Sequence, residues 1–192
     1  MPEQSRSMTP LLAPIVLMAL AVAASNVLVQ YPFGHFGLED LLTWGAFTYP
    51  ATFLITDLTN RRLGPKAARR VVYVGFAIAV VASIALASPR IALASGTAFL
   101  VGQLVDVQVF HHLRRLAWWR APLISSFAGS AVDTAIFFSL AFAGTGLSSV
   151  TVGGALLPLW MSWALGDFAV KIACALLLLA PYFALKGRLR AA

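Results

Sequence analysis

The stretch Ile91-Ala92-Leu93-Ala94-Ser95-Gly96-Thr97-Ala98-Phe99-Leu100-Val101-Gly102-Gln103-Leu104-Val105-Asp106-Val107-Gln108-Val109-Phe110 holds one ionisable side chain in 20 residues. As a helix it rises about 30 Å, the thickness of a bilayer's hydrocarbon core. A lone aspartate in such a helix costs about 2.5–3.5 kcal/mol on insertion-derived scales. Three more sit in comparably apolar surroundings: Asp57, Asp133 and Asp167, the last with Lys171 one helical turn on. Together the four cost on the order of 10 kcal/mol before any partner is counted. The reading that follows is a set of membrane helices whose carboxylates face a shared polar cavity.

Composition agrees. Of 192 residues, 60% are hydrophobic and 11% charged, with a mean hydropathy of +0.85, whereas a soluble domain carries about a quarter charged residues. Helices satisfy their own backbone groups in lipid, and the alternating pattern of a barrel strand does not recur. The expectation is an all-α, polytopic protein with a single transmembrane domain, residues 1–192. The net charge of +7 punctuates apolar spans instead of clustering on a soluble module, which argues against a nucleic-acid partner. Cys174 is the only cysteine, so an intrachain disulfide and a cysteine metal cluster are excluded.

Runs near membrane length predict six spans, approximately Met8 to Val29, Thr43 to Thr59, Val71 to Ser88, Ile91 to Phe110, Ala121 to Ala143 and Ala155 to Leu185. The first, with Arg6 ahead of it and small residues near its end, has some features of a signal peptide; five later spans favour a retained helix. Arg6, then Arg61, Arg62, Lys66, Arg69 and Arg70, then Arg114, Arg115 and Arg120, and finally Lys186, Arg188 and Arg190 fall on one side of this arrangement, and only Arg90 on the other. The positive-inside rule therefore predicts that both termini and the two basic loops are cytoplasmic. Glu39, Asp40 and the uncharged 144–154 loop face outward.

Polar residues within the spans share faces. Ser126, Gly129, Ser130 and Asp133 line one stripe of the fifth span, and Gly102, Gln103 and Asp106 one surface of the fourth. The spacing from Gly102 to Asp106 is repeated from Gly129 to Asp133. Asp167 precedes Lys171 by four residues, the favourable order for an intrahelical pair. The second span carries Pro50, which removes a backbone donor; its Thr43, Trp44, Thr48, Tyr49, Thr52, Thr56 and Thr59 suit a broken, cavity-lining helix. Structural readings stand beside these: Asp57 as an interfacial salt bridge to Arg61 or Arg62, and Asp167 with Lys171 as a clasp between helices. Trp118 and Trp119 read as an interfacial belt, His111 and His112 as interfacial residues, and His35 as isolated.

Catalytic and metal readings find little support. Ala164-Leu165-Gly166-Asp167 lacks the first glycine of an intramembrane aspartyl protease element. There is no Gly-x-Ser-x-Gly elbow, phosphate-binding glycine loop or helical His pair with a carboxylate. The four aspartates are scattered over four spans, not gathered in one metal-binding run. No enzyme, cofactor or metal is expected.

Particular strings then matter: Ser25-Asn26-Val27-Leu28-Val29-Gln30 before Pro32-Phe33; Thr43-Trp44-Gly45-Ala46-Phe47; Phe53-Leu54-Ile55-Thr56-Asp57-Leu58-Thr59; Gly102-Gln103-Leu104-Val105-Asp106-Val107-Gln108-Val109-Phe110. With Ala68-Arg69-Arg70, Trp118-Trp119 before Ala121-Pro122, Gly129 to Asp133-Thr134 before Phe137-Phe138, and Asp167 to Lys171, the chain resembles the bacterial queuosine precursor transporter family, also called the vitamin uptake transporter family. The likeness runs from the first span into the sixth and rests on polar or small residues at fixed spacing. Ser88-Pro89-Arg90 stands where family members have a longer outward connection.

The resemblance implies inner-membrane uptake of 7-cyano-7-deazaguanine, with its aminomethyl analogue as a further candidate, for making the modified tRNA base queuosine. Such a base presents a ring N–H and an exocyclic amine side by side, and a carboxylate can accept both. Asp106 or Asp133 is the expected contact, Gln103 or Asn26 could reach the carbonyl or cyano end, and Trp44, Phe47 or Phe137 could stack on the ring. Asp57, Asp167 and Lys171 complete the candidate set. No nucleotide-binding motif occurs, so the chain is read as a facilitator or a proton-coupled carrier, and a homodimer is left open. The runner-up is a substrate-binding subunit of an energy-coupling-factor vitamin transporter; an intramembrane enzyme comes last.

Overall fold

The computed structural model describes residues 9–38, 42–152 and 154–188. The expected positions of Arg6, Glu39, Asp40 and Arg190 lie outside the described residues. Among these residues seven helices run in the order α1 (Thr9–Leu28), α2 (Trp44–Thr48), α3 (Ala51–Leu63), α4 (Pro65–Leu86), α5 (Pro89–Leu113), α6 (Arg120–Phe142) and α7 (Leu159–Arg188). An antiparallel hairpin of β1 (Ser149–Val152) and β2 (Ala155–Pro158) joins α6 to α7. Among the described residues five helices, all but α2 and α3, are long and apolar enough to cross a membrane. The protein is a polytopic all-α membrane protein.

Local chemistry sets the element ends. Gly64 takes φ +83°, which a residue with a Cβ adopts only at a cost, and Pro65 follows at the first helical position, so α3 turns directly into α4. Ser88 caps α5, its Oγ accepting from Ile91 N at 3.4 Å, with Pro89 next. Arg90 donates to the carbonyls of Leu140 (2.8 Å) and Ala143 (2.6 Å). This places a cation on the open carbonyl end of α6, where it complements the helix dipole. The short Ser88-Pro89-Arg90 connection thus fastens α5 to α6.

Two expected boundaries are corrected. Residues 155–158 belong to β2, so the sixth span begins at Leu159; the strand also extends the expected 144–154 loop into a hairpin. The third span begins at Pro65, so Lys66, Arg69 and Arg70 lie on the first turns of α4 and not in a loop. Long basic side chains tolerate this because their stems reach along the helix while the charges stay at the interface. The second span is broken between α2 and α3 at Tyr49-Pro50, where the proline offers no N–H. Just after the break threonine hydroxyls add to the backbone bonds: Thr52 Oγ1 donates to Tyr49 O at 2.7 Å beside the Thr52 N–H at 3.0 Å, and Thr56 Oγ1 to Thr52 O at 3.0 Å.

The core has two parts. Leu11, Met18 and Val22 of α1 pack on Val71, Val72 and Ala79 of α4 and on Phe99 and Val107 of α5. A smaller cluster of Phe110, Ala121 and Tyr182 closes the end of the bundle that carries Arg61, Arg114 and Lys186, called here the basic end. Large apolar side chains elsewhere point outward, such as Leu177 of α7 at 73% exposed and Ile84 of α4 at 70%. On helices of this length such faces meet lipid.

Helices α5 and α6 cross with almost no gap. A Cβ built on Gly102 would stand 2.8 Å from Asp133 Cβ and 3.0 Å from Gly129 O, and one on Gly129 would stand 2.9 Å from Gly102 O and 3.0 Å from Asp106 Cβ. Each glycine therefore seats the aspartate of the opposite helix. The repeated Gly-to-Asp spacing is the sequence trace of this reciprocal crossing.

Candidate functional site

The break at Pro50 swings Tyr49 into the bundle, where its ring packs edge-on against Phe53 and Phe99, with centroids 5.9 and 6.2 Å apart. Its hydroxyl donates to Asp133 Oδ1 at 2.6 Å. Lys171 of α7 reaches the other oxygen: Nζ lies 2.7 Å from Asp133 Oδ2, 2.6 Å from Asp167 Oδ2 and 3.1 Å from Thr134 Oγ1. Thr134 in turn donates to Asp167 Oδ2 at 2.8 Å. The ammonium thus has three acceptors, which uses all its protons. Two carboxylates around one cation leave the cluster with a net charge of −1 when all three are ionised. Nothing less than this network would hold three charged groups away from water, since a buried ion costs several kcal/mol unless paired and hydrogen-bonded.

Above the cluster lies a cavity of about 460 Å³ in the half of the bundle nearest the hairpin, between the ends of α1, α2, α4, α6 and the starts of α5 and α7. That volume is within the range of about 300–1,000 Å³ usual for small-molecule sites. Asp133, Asp167, Lys171 and Tyr49 line its floor; Asn26, Ser83 and Ser95 add polar groups, and Phe137, Phe138, Phe142 and Trp163 an aromatic wall. Asn26 is held by donating to Val22 O at 2.9 Å and accepting from Ser83 Oγ at 3.1 Å. Asp133 is spoken for on both oxygens. Among the described residues the bonds to Asp167 all fall on Oδ2, and its side chain is 17% exposed, so it keeps accepting capacity toward the cavity.

Of the residues singled out in the sequence, Asn26, Asp133, Phe137, Asp167 and Lys171 meet at this cavity, and the other five do not line it. Gln103 is fully buried in a clamp between α5 and α3, donating to Thr52 Oγ1 at 2.8 Å and accepting from Thr56 Oγ1 at 2.7 Å. Asp57 and Asp106 are buried further toward the basic end. Asp57 accepts from Ser125 Oγ at 3.2 Å and, among the described residues, makes no ion pair with Arg61 or Arg62. Arg61 instead donates to Tyr182 Oη at 2.8 Å and to Arg114 O. Trp44 and Phe47 lie on the outer face of α2, edge-on and tilted against Phe33 with ring centroids 4.9 and 4.8 Å away. Replacing Gln103 by Leu, which fills the space but leaves Thr52 Oγ1 without its incoming donor, is expected to lower stability by about 1–3 kcal/mol; thermal unfolding in detergent measures it.

Tyr49, Thr134 and Trp163 belong to the site, though the sequence named Tyr49 only among the polar groups of the second span and Thr134 only within a string. A tyrosine directly before a mid-span proline was the available signal. Trp163 offers none, because a tryptophan near a span's start reads equally as an interfacial anchor.

The model of the family described as "Putative vitamin uptake transporter" matches residues 43–88 and 81–185. The chain is 33% identical over 185 residues to the "Queuosine precursor transporter" of Escherichia coli, covering 85% of this chain and 80% of that one. It is 38% identical over 154 residues to the "Probable queuosine precursor transporter" of Haemophilus influenzae (63% and 65%) and 26% over 195 residues to that of Bacillus subtilis (87% and 80%). No solved structure matches. Five membrane-length helices around an ion-floored cavity, and a family match across most of their length, lead to one assignment: this chain belongs to the vitamin uptake transporter family, that of the queuosine precursor transporters, and is a membrane transporter, not an enzyme.

Proposed function

We propose that the protein imports a queuosine precursor, 7-cyano-7-deazaguanine or its aminomethyl analogue, across the bacterial inner membrane. The observation that carries this is the cavity floored by Asp133, Lys171 and Asp167 and walled by aromatic rings. The names of the relatives supply the substrate class. In this reading the basic end faces the cytoplasm by the positive-inside rule, so the cavity receives substrate from outside.

The chemistry of the floor fits a flat base with adjacent donors. The open Oδ1 of Asp167 accepts from the donor edge of the base, while Asp133, fixed between Tyr49 and Lys171, holds Lys171 and so orients Asp167. Asn26 and Ser83 lie on another wall to meet the carbonyl or cyano group, and Phe137, Phe138 and Phe142 offer faces and edges for stacking. Asp106 and Gln103, closed off from the cavity, serve the crossing of α3, α5 and α6.

Purified protein in detergent is expected to bind 7-cyano-7-deazaguanine in preference to guanine by calorimetry. Asp167→Asn is expected to weaken that binding by about 10- to 100-fold, the worth of a charge-assisted hydrogen bond, and to lower the unfolding temperature less than Lys171→Met does, because the Asp133–Lys171 pair stays whole. Liposomes containing this chain alone are expected to take up the base. Equal binding of guanine, or uptake only when further subunits are added, would overturn this reading.

A further inference from the structure

Beneath the cavity, Asp57 of α3 and Asp106 of α5 are 1% and 0% exposed and lie as neighbouring carboxyl groups beside Ser125 of α6, whose hydroxyl donates to Asp57 Oδ1 at 3.2 Å. Both oxygens of Asp106 are sealed from solvent and, among the described residues, accept no hydrogen bond. A fully buried carboxylate with two unused acceptors is expensive, and a second carboxylate at its side makes it more so.

The surrounding charges relieve it only from a distance. Arg61, four residues from Asp57, donates Nε to Tyr182 Oη and Nη1 to Arg114 O and stands 5.2 Å from the Phe110 ring centroid, while its buried Nη2 takes no acceptor among the described residues. Lys171 is held by Asp133 and Asp167. Among the described residues neither cation pairs with Asp57 or Asp106. From α6 the Ser125 hydroxyl donates to Asp57, with Ser126 and Ser130 lining the crevice beside it, and from α7 Lys171 and Tyr182 line the same crevice, Tyr182 itself accepting from Arg61. What completes such a site is a small cation between two oxygens, and the smallest is a proton, which turns two repelling carboxylates into one O–H···O⁻ bond.

The site also has a route. A crevice of about 10 Å³, the space of about one water, is lined by Lys171, Ser130, Ser126, Asp57 and Tyr182. Lys171 lines the substrate cavity as well, so hydroxyls lead from the cavity floor to Asp57. The pair is tied mechanically to the floor too, because Asp106 rests on Gly129 where Asp133 rests on Gly102. Any parting of α5 and α6 shifts both carboxylates together.

We infer that Asp57 and Asp106 form a second binding site, for one exchangeable proton, through which inward movement of H⁺ drives uptake. The step is a proton transfer only: water on the hairpin side gives a proton to the pair, one O–H forms, and the same proton passes to water at the basic end when the path there opens. The coupling to uptake rests on the import reading above; the proton site itself does not.

Infrared spectra of the protein in membranes at neutral pH test the site without any substrate. A protonated-carboxyl carbonyl band, shifted in heavy water, is expected in the wild type and missing from the Asp57→Asn/Asp106→Asn variant. Absence of the band in the wild type, or its survival in the double variant, would overturn the site. Coupling is read in liposomes containing the wild-type chain: an outside-acid gradient should raise accumulation of 7-cyano-7-deazaguanine by up to about tenfold per pH unit for one proton per base, unchanged when choline replaces sodium. Asp106→Asn should keep exchange of labelled base at equal pH and lose the response to the gradient. Exchange without any response to pH in the wild type would reject coupling while sparing the import reading; accumulation that follows sodium would assign the pair to a metal cation. Failure of both binding and exchange would reject import, and the infrared result would still judge the proton site.

Discussion

Lys171→Met is expected to reduce uptake by at least about 100-fold and to destabilise the folded protein by about 3–5 kcal/mol, the usual consequence of removing one partner from a buried ion network. The side chain is 6% exposed, and its ammonium is the one cation among the described residues in contact with Asp133 and Asp167. Without it two carboxylates share a cavity floor with Tyr49 and Thr134 as their donors among the described residues, and both must rearrange. Restoring neutrality separates the two roles. In Asp133→Asn/Lys171→Met the stranded charge is gone, so much of the lost stability should return, as it does when buried ion pairs are replaced together. Uptake should not return, because Asp167 is no longer oriented. The checks are thermal unfolding in detergent and initial uptake rates in cells with matched membrane expression. Near-normal uptake by Lys171→Met would remove the charged floor from the mechanism.

Gly129→Val is expected to abolish the folded state, with loss of a monodisperse peak in size-exclusion chromatography. The first added carbon would stand 2.7 Å from Phe53 Cε1 and 2.9 Å from Gly102 O, closer than nonbonded carbons approach. The phenyl ring could turn aside; the backbone carbonyl of α5 could not. Overpacking of this kind costs about 1–3 kcal/mol for a few methylenes in an adaptable core, and a crossing made of two backbones has less room to adapt. Gly129→Ala should fall between wild type and valine, with uptake impaired before stability, since a small parting of α5 and α6 displaces the seats of Asp106 and Asp133. Gly187→Ala, with open space around the new carbon, is the control and should change stability by less than about 0.5 kcal/mol. A normal elution profile for Gly129→Val would mean that the helices can separate freely, and the reciprocal seating would carry no weight.

Both experiments bear on features the sequence displayed without explaining. The Asp167-to-Lys171 spacing predicted an intrahelical pair, and the pair is there; that Lys171 also reaches Asp133 across the bundle depends on how α7 lies against α6. The Gly102-to-Asp106 and Gly129-to-Asp133 spacings were visible as a repeat, while their meaning lies in two antiparallel helices crossing at the glycines. Pro50 announced a broken second span. Which side chain the break would aim inward was not announced, and Tyr49 became a site residue only when its hydroxyl met Asp133. Gln103 and Asp106 looked like substrate contacts because a polar group in a span must find a partner; Gln103 finds its partners on α3, and the Asp106 carboxyl turns toward Asp57, away from the cavity.

By itself, the sequence determined that this is a helical membrane protein, where its charged ends lie, and which intramembrane polar groups are too costly to be there without a role. Those properties follow from transfer free energies summed along the chain, to which each residue contributes without reference to distant ones. Tertiary structure alone decided which carboxylates share a cavity, which is clasped by a lysine and which two stand against each other, because those depend on helix rotation and crossing angle. A rotation of α5 by one residue, about 100°, would send Asp106 to another neighbour while leaving hydropathy, span lengths and charge asymmetry unaltered.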